Sequence, residues 1–319
     1  MGKVPIFNIR YIWEKITMKN LLLYFATVLI WGSTWLAITF QFGPVDPMVS
    51  VVYRFALAAL LMFAICLFSG RTLRFNRKAH AIMALFGFLL FSINYWLVYL
   101  AETYITSGLV AVVFSTLVFM NALNGRLFMG TPIRRSIIVG AIVGLAGVAL
   151  IFWPEITATD MSTSTVTGLV LSVASVFLAS LGNVTSARIQ ELNLPVLQSN
   201  AFGMAYGAIV MTIAAVLFGK PFVFSPTVPY VCSLIFLSVF GSVIAFWAYL
   251  TLLGRIGAAK AAYAIMLVPV VALIFSTFFE GYQWTFSAVI GLAMVVIGNL
   301  MLLKRNESKF PGPRKLHKA

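Results

Sequence analysis

Charge is scarce in this sequence and negative charge scarcest: 9% of the 319 residues are charged, and only 8 are acidic. Those acids, Glu14, Asp46, Glu102, Glu155, Asp160, Glu191, Glu280 and Glu307, all lie in polar stretches or at the ends of apolar runs. No carboxylate is therefore placed for a proton relay through the middle of a span. Any proton-linked step would fall to Glu102 or Glu280. Histidine occurs twice, at His80 and His317 in polar segments, and cysteine twice, at Cys66 and Cys232 inside apolar runs. That leaves no ligand cluster for a metal, no disulfide framework and no nucleophile with a base beside it. The glycines give no G-x-G start after a strand, so no dinucleotide fingerprint is present. An enzyme, a cofactor and a metal are all unexpected.

What is abundant is hydrocarbon. Hydrophobic residues make up 61% of the chain, and the mean hydropathy is +1.01, well above the usage of soluble domains. Apolar runs of about 20 residues recur, each long enough at about 1.5 Å per residue to cross a hydrocarbon core of about 30 Å. They read as spans near 21–40, 47–69, 79–100, 104–129, 134–153, 167–187, 196–218, 228–252, 259–280 and 284–303. Two ends are ambiguous: Asn124-Gly125-Arg126 could close the fourth span early, and Lys220-Pro221 marks the exit of the seventh.

A formal charge of +14 would point a soluble protein towards nucleic acid, but here the basic residues sit in short loops and tails. They are a topology signal. With the N-terminus inside, Arg71, Arg74, Arg77, Lys78, Arg126, Arg134, Arg135, Arg188, Arg255 and Lys260 all become cytoplasmic, and only Lys220 falls outside. Both termini are then cytoplasmic and the span count even, in agreement with ten. Residues 1–20 read as a cytoplasmic extension, either amphipathic or begun at an upstream start codon, since Met18-Lys19 directly precedes the first span. No small-residue cleavage site follows that first run. Residues 304–319 form a basic, orientation-fixing tail.

The chain also matches itself. At a displacement of 151 residues Ile105 falls on Ile256, Gly130 on Gly281, Gly140 on Gly291 and Gly147 on Gly298. Gly32 and Gly182, and Pro47 and Pro195, correspond at 150 and 148. Five spans per half force the halves into opposite orientations, the inverted repeat of many secondary transporters. The halves are 21–153 and 167–303, joined by an outer linker over 154–166.

The run Trp31-Gly32-Ser33-Thr34-Trp35, with Pro47 and Arg54-Phe55, resembles the first half of EamA-type members of the drug/metabolite transporter superfamily. Gly254-Arg255-Ile256-Gly257-Ala258-Ala259, Pro269, Glu280-Gly281 and Gly291 resemble that family's closing helices. The resemblance implies ten helices in two inverted repeats around a cavity lined by the first, third and fourth helix of each, with the fifth at the periphery. Two positions depart from the pattern: Met129-Gly130 replaces a Glu-Gly pair, and Val118 stands where the second repeat has Pro269.

Arg54 is the most conspicuous candidate, because an ionised side chain inside a span costs about 2.5–3.5 kcal/mol on insertion scales. Either it binds a substrate carboxylate or pairs with an outer acid such as Glu280, or it snorkels outward and caps carbonyls. Trp31 and Trp35 share a helix face at i, i+4, as do Tyr95 and Tyr99, with Glu102 extending the second stripe at i+7. These aromatics line a cavity or pack a core, and Trp247 and Tyr263 are their counterparts in the second half. Asn94, Ser115 and Ser242 are polar positions for the same cavity. Pro269 removes a backbone donor and marks a hinge. Gly140, Gly144, Gly147, Gly291 and Gly298 make a small-residue seam on the fifth and tenth spans, for close helix packing or for a homodimer contact.

The expectation is an all-α, multi-pass protein of a bacterial inner membrane: a secondary, alternating-access transporter, in the export direction, for amino acids or related amphipathic solutes. Its partners are a small solute and the lipid bilayer, not nucleic acid. A nucleoside or nucleotide-sugar carrier and an uncoupled channel are the alternatives.

Overall fold

Helices are the only regular structure among the described residues, as a bilayer demands of backbone groups that find no water. The computed structural model describes residues 18–130, 132–133, 135–154, 163–256 and 258–303; the side chains at 250, 253–254, 256, 258–263 and 302–303 are outside that description. Residues 1–17, most of the expected linker, the basic tail and the Tyr263 side chain thus lie outside the described residues. In chain order the helices are α1 (Met18–Thr39), α2 (Pro47–Phe68), α3 (Arg77–Glu102), α4 (Ser107–Met129), α5 (Arg135–Ile151), α6 (Thr163–Glu191) and α7 (Val196–Leu217). Then follow α8 (Val228–Ile235, continuing as Phe236–Ile244 and Ala245–Ile256), α9 (Ala258–Phe279) and α10 (Phe286–Leu303). Seven of them, α1–α4 and α6–α8, are long and apolar enough to cross a membrane, while α5, α9 and α10 contribute shorter apolar helices.

Their limits follow from local chemistry. Asp46 caps α2 by accepting from the Met48 N–H at 2.9 Å, with Pro47 in the first turn where its missing donor costs nothing. Asn76 caps α3 through the Ala79 N–H at 2.8 Å. The fourth span does not end at Asn124-Gly125-Arg126. It runs to Met129, where Gly130 takes the left-handed φ of 67° that closes it. Its interruption lies instead at Ser115 and Thr116, whose hydroxyls turn back to the carbonyls of Val112 and Val113 at 2.6 and 2.7 Å. Side-chain hydroxyls that compete for the helix's own acceptors weaken it there.

Packing places α2 against α7, α1 against α8 and α9, α3 against α6 and α7, and α4 against α6 and α9. The glycine seam is used within the chain, between α5 and α10. A Cβ added at Gly140 would stand 2.6 Å from the Gly298 carbonyl, and one at Gly147 2.5 Å from that of Gly291. Backbone meets backbone there, so a homodimer through these helices would have to use their other faces. Side-chain contacts fix the two ends of the bundle. At the Glu280 end Lys220 pairs with Asp46 at 2.9 Å, and Glu280 accepts from Ser107. At the His80 end His80 bonds Tyr206 at 2.9 Å, and Gln198 reaches the Thr72 carbonyl at 3.4 Å. Large apolar side chains such as Leu22, Leu60, Phe278 and Phe286 point outward, the arrangement a lipid solvent favours over water.

Candidate substrate site

Arg54 sits two turns into α2 from the Glu280 end and is 2% exposed. Its Cζ lies 4.6 Å from the centroid of the Tyr95 ring and 5.3 Å from that of Phe55. A guanidinium over an aromatic face gains cation–π attraction of about 2 kcal/mol or more when desolvated, less than a buried charge loses. Nε and Nη1 have no hydrogen-bond partner among the described residues. The two ion pairs among the described residues are Arg188 with Glu191 and Lys220 with Asp46. The Arg54–Glu280 pair named as one reading of the sequence is therefore not formed; Glu280 is held by Ser107, with its N–H at 3.0 Å and its hydroxyl at 2.5 Å.

Helix geometry brings the rest of the cluster together. Tyr95 and Tyr99 lie four apart on α3, so both face α2. Tyr95 packs on Phe55 with ring centroids 4.8 Å apart. Tyr99 is fully buried, and its hydroxyl donates to Gln41 Oε1 at 2.7 Å, leaving Gln41 Nε2 without a partner. Ser50 and Tyr230 join α2 to α8 through their hydroxyls at 3.1 Å.

The opposing wall is the π-helical stretch of α8. Ser242 donates to the Leu237 carbonyl five residues back at 2.9 Å, the wide turn characteristic of a π segment. Ser238 donates to the Arg54 backbone carbonyl at 3.0 Å. Trp31 of α1 donates its indole N–H to the Gly241 carbonyl at 3.2 Å, its ring lying against Phe246 and Tyr249. Gly241 must stay small, because an added Cβ would meet Thr34 Cγ2 at 2.8 Å and lie 3.8 Å from Arg54 Nη2.

Glu102 ends the α3 stripe. It is 6% exposed, and neither carboxylate oxygen has a hydrogen-bond partner among the described residues. With Glu280 and Thr106 it lines a cavity of about 390 Å³.

The other sequence candidates are more dispersed. Trp35 is half-buried against Phe114 at 5.1 Å. Asn94 is buried but bonds across to the Ser175 carbonyl and hydroxyl at 2.7 and 3.0 Å, so it ties α3 to α6. Ser115 and Ser242 bond back into their own helices. Trp247 is 63% exposed and stands apart from the cluster. Pro269 is buried within an α9 that continues through it. Ser238 joins the site as a polar position of the eighth span that its sequence spacing offered for the cavity, whereas Gln41, Ser50 and Gly241 join it with no signal of their own in the sequence.

Comparison with known proteins agrees with this architecture. The EamA-like transporter family matches residues 18–153 and again residues 166–304. YedA, an uncharacterized inner membrane transporter of Escherichia coli K12, is 29% identical over 280 residues, covering 86% of this chain and 88% of that protein. PagO of Salmonella typhimurium is 23% identical over 287 residues, covering 89% and 93%. YoaV, an uncharacterized transporter of Bacillus subtilis, is 24% identical over 288 residues, covering 89% and 96%. One crystal structure, 20% identical in sequence, shares the fold over 92% of this chain and 100% of its own, with a TM-score of 0.64. The chain belongs to the EamA-like transporter family and is a multi-pass transporter of the inner membrane.

Proposed function

We propose that this protein is an alternating-access exporter of small amphipathic solutes bearing one carboxylate, amino acids among them, with Arg54 as the carboxylate anchor. The observation that carries the reading is a guanidinium 2% exposed, stacked on Tyr95, with Nε and Nη1 unpartnered. Arginine's planar fork matches a carboxylate with two parallel hydrogen bonds. The aromatic wall of Tyr95, Phe55 and Trp31 suits the apolar part of such a solute. A nucleotide sugar carries more negative charge than one guanidinium balances, so a single carboxylate is preferred. Export follows the family resemblance.

Ten spans in two inverted five-helix repeats, both termini cytoplasmic, form the framework of this reading. Supporting it, the family matches the chain twice, over 18–153 and 166–304. Left-handed glycines recur at Gly70 and Gly219 and at Gly130 and Gly281, and π segments interrupt α3 at Leu89–Ile93 and α8 at Phe236–Ile244. Contacts repeat as well: α1 on α9 has its counterpart in α6 on α4, and α1 on α8 in α6 on α3. Inverted halves of this kind exchange access by rocking around a central site.

Counterflow in liposomes tests the proposal. Vesicles preloaded with one amino acid should accumulate the labelled form of that solute with saturating kinetics. Flux linear in concentration would indicate a channel, and no exchange across amino acids and other monocarboxylates would remove the proposal.

A further inference from the structure

We propose that the cavity at the Glu280 end is a binding site for an organic ammonium group, with Glu102 as its counter-ion. Glu102 is 6% exposed and lines this cavity of about 390 Å³, yet neither of its oxygens meets a donor among the described residues. Thr106 lines the same space, and its hydroxyl oxygen is also buried without a partner. Three polar oxygens on two residues of this wall thus have no hydrogen-bond partner among the described residues, where each buried orphan is normally paired. Glu280 adds a second carboxylate to the wall, but Ser107 occupies it through both its N–H and its hydroxyl. No Lys or Arg is among the described residues that line it.

The occupant is positively charged, and size decides its kind. A single water takes about 30 Å³ of liquid volume, so a bare alkali ion would leave most of the space unfilled. Ile105 and Leu109 supply apolar wall and Tyr104 an aromatic one, which suits the methylenes next to an ammonium head. Arg54 is not among the described residues that line this cavity. This site goes beyond the carboxylate reading and does not depend on it.

The probe is n-butylammonium chloride, titrated against the purified full-length chain by thermal unfolding, with n-butanol and sodium chloride at matched concentrations. The expected result is saturable stabilisation by butylammonium alone. Glu102→Gln should weaken that binding at least ten-fold, and Thr106→Val a few-fold. Should Glu102→Gln not unfold cooperatively, Thr103→Trp, which fills the cavity from its exposed rim, should abolish the response. Equal stabilisation by sodium chloride or butanol, no response of the unmodified chain, or unweakened binding to Glu102→Gln or Thr103→Trp would overturn the proposal. Carboxylate binding at Arg54 is read with a different probe, so the two sites fail independently.

Discussion

Arg54 lies over the ring of Tyr95, 4.6 Å from its centroid, and two of its guanidinium nitrogens have no hydrogen-bond partner. This arrangement holds a cation ready rather than neutralising it. Removing the charge should therefore relieve the apo protein. Arg54→Gln is expected to melt at the same temperature as the unmodified chain or higher, since an unpaired buried charge does not stabilise. A fall of many degrees in differential scanning fluorimetry would assign the guanidinium a structural partner.

Among the described residues the Tyr99 hydroxyl donates the one hydrogen bond that the Gln41 side chain receives, and both groups are buried. Tyr99→Phe strands the whole Gln41 amide, at a cost of about 1–3 kcal/mol. The expected outcome is a lower melting temperature than that of the unmodified chain in differential scanning fluorimetry; an unchanged one would show that the Gln41 amide finds another partner.

Trp31 and Trp247 form a contrasting pair. Trp31 holds the Gly241 carbonyl beside Arg54, whereas Trp247 is 63% exposed. Trp31→Ala should reduce solute affinity at least ten-fold and Trp247→Ala leave it within two-fold. The reverse order in equilibrium binding would move the site to the other face of α8.

The α5–α10 seam gives a purely structural prediction. Gly147→Leu drives a side chain into the Gly291 carbonyl, where even a Cβ would stand at 2.5 Å. Overpacking of this kind costs about 1–3 kcal/mol or more. Lower thermal stability with unchanged affinity is expected, because the seam lies away from Arg54.

How much of this was legible in the sequence depends on what each residue had to be compared with. Helix limits read well, because Pro47, Gly130 and Asn76 carry local backbone chemistry and apolar runs have a required length. Arg54 stood out as a charge in an apolar run, and Tyr95 with Tyr99 by their four-residue spacing. The partners of that cluster were not legible: Gln41 meets Tyr99 from 58 residues away, and Ser238 meets Arg54 from 184. The π segments in α3 and α8 leave no mark in composition. Trp247 and Asn94 show the ambiguity of a lipid-facing chain. When every helix face is apolar, periodicity does not tell the lipid side from the inner one, and a polar residue serves helix–helix bonding as readily as a cavity.

The most direct measurement compares an amino acid with its neutral-tail analogue, phenylalanine against phenylalaninamide, in equilibrium binding to the full-length protein and to Arg54→Gln. A charge-assisted hydrogen-bonded contact is worth about 1.5–3 kcal/mol, or roughly 10- to 100-fold in affinity. Arg54 as the anchor predicts that the unmodified protein prefers the carboxylate by at least ten-fold and that Arg54→Gln loses the preference. Equal binding of the two solutes, or a preference that survives in Arg54→Gln, would contradict it.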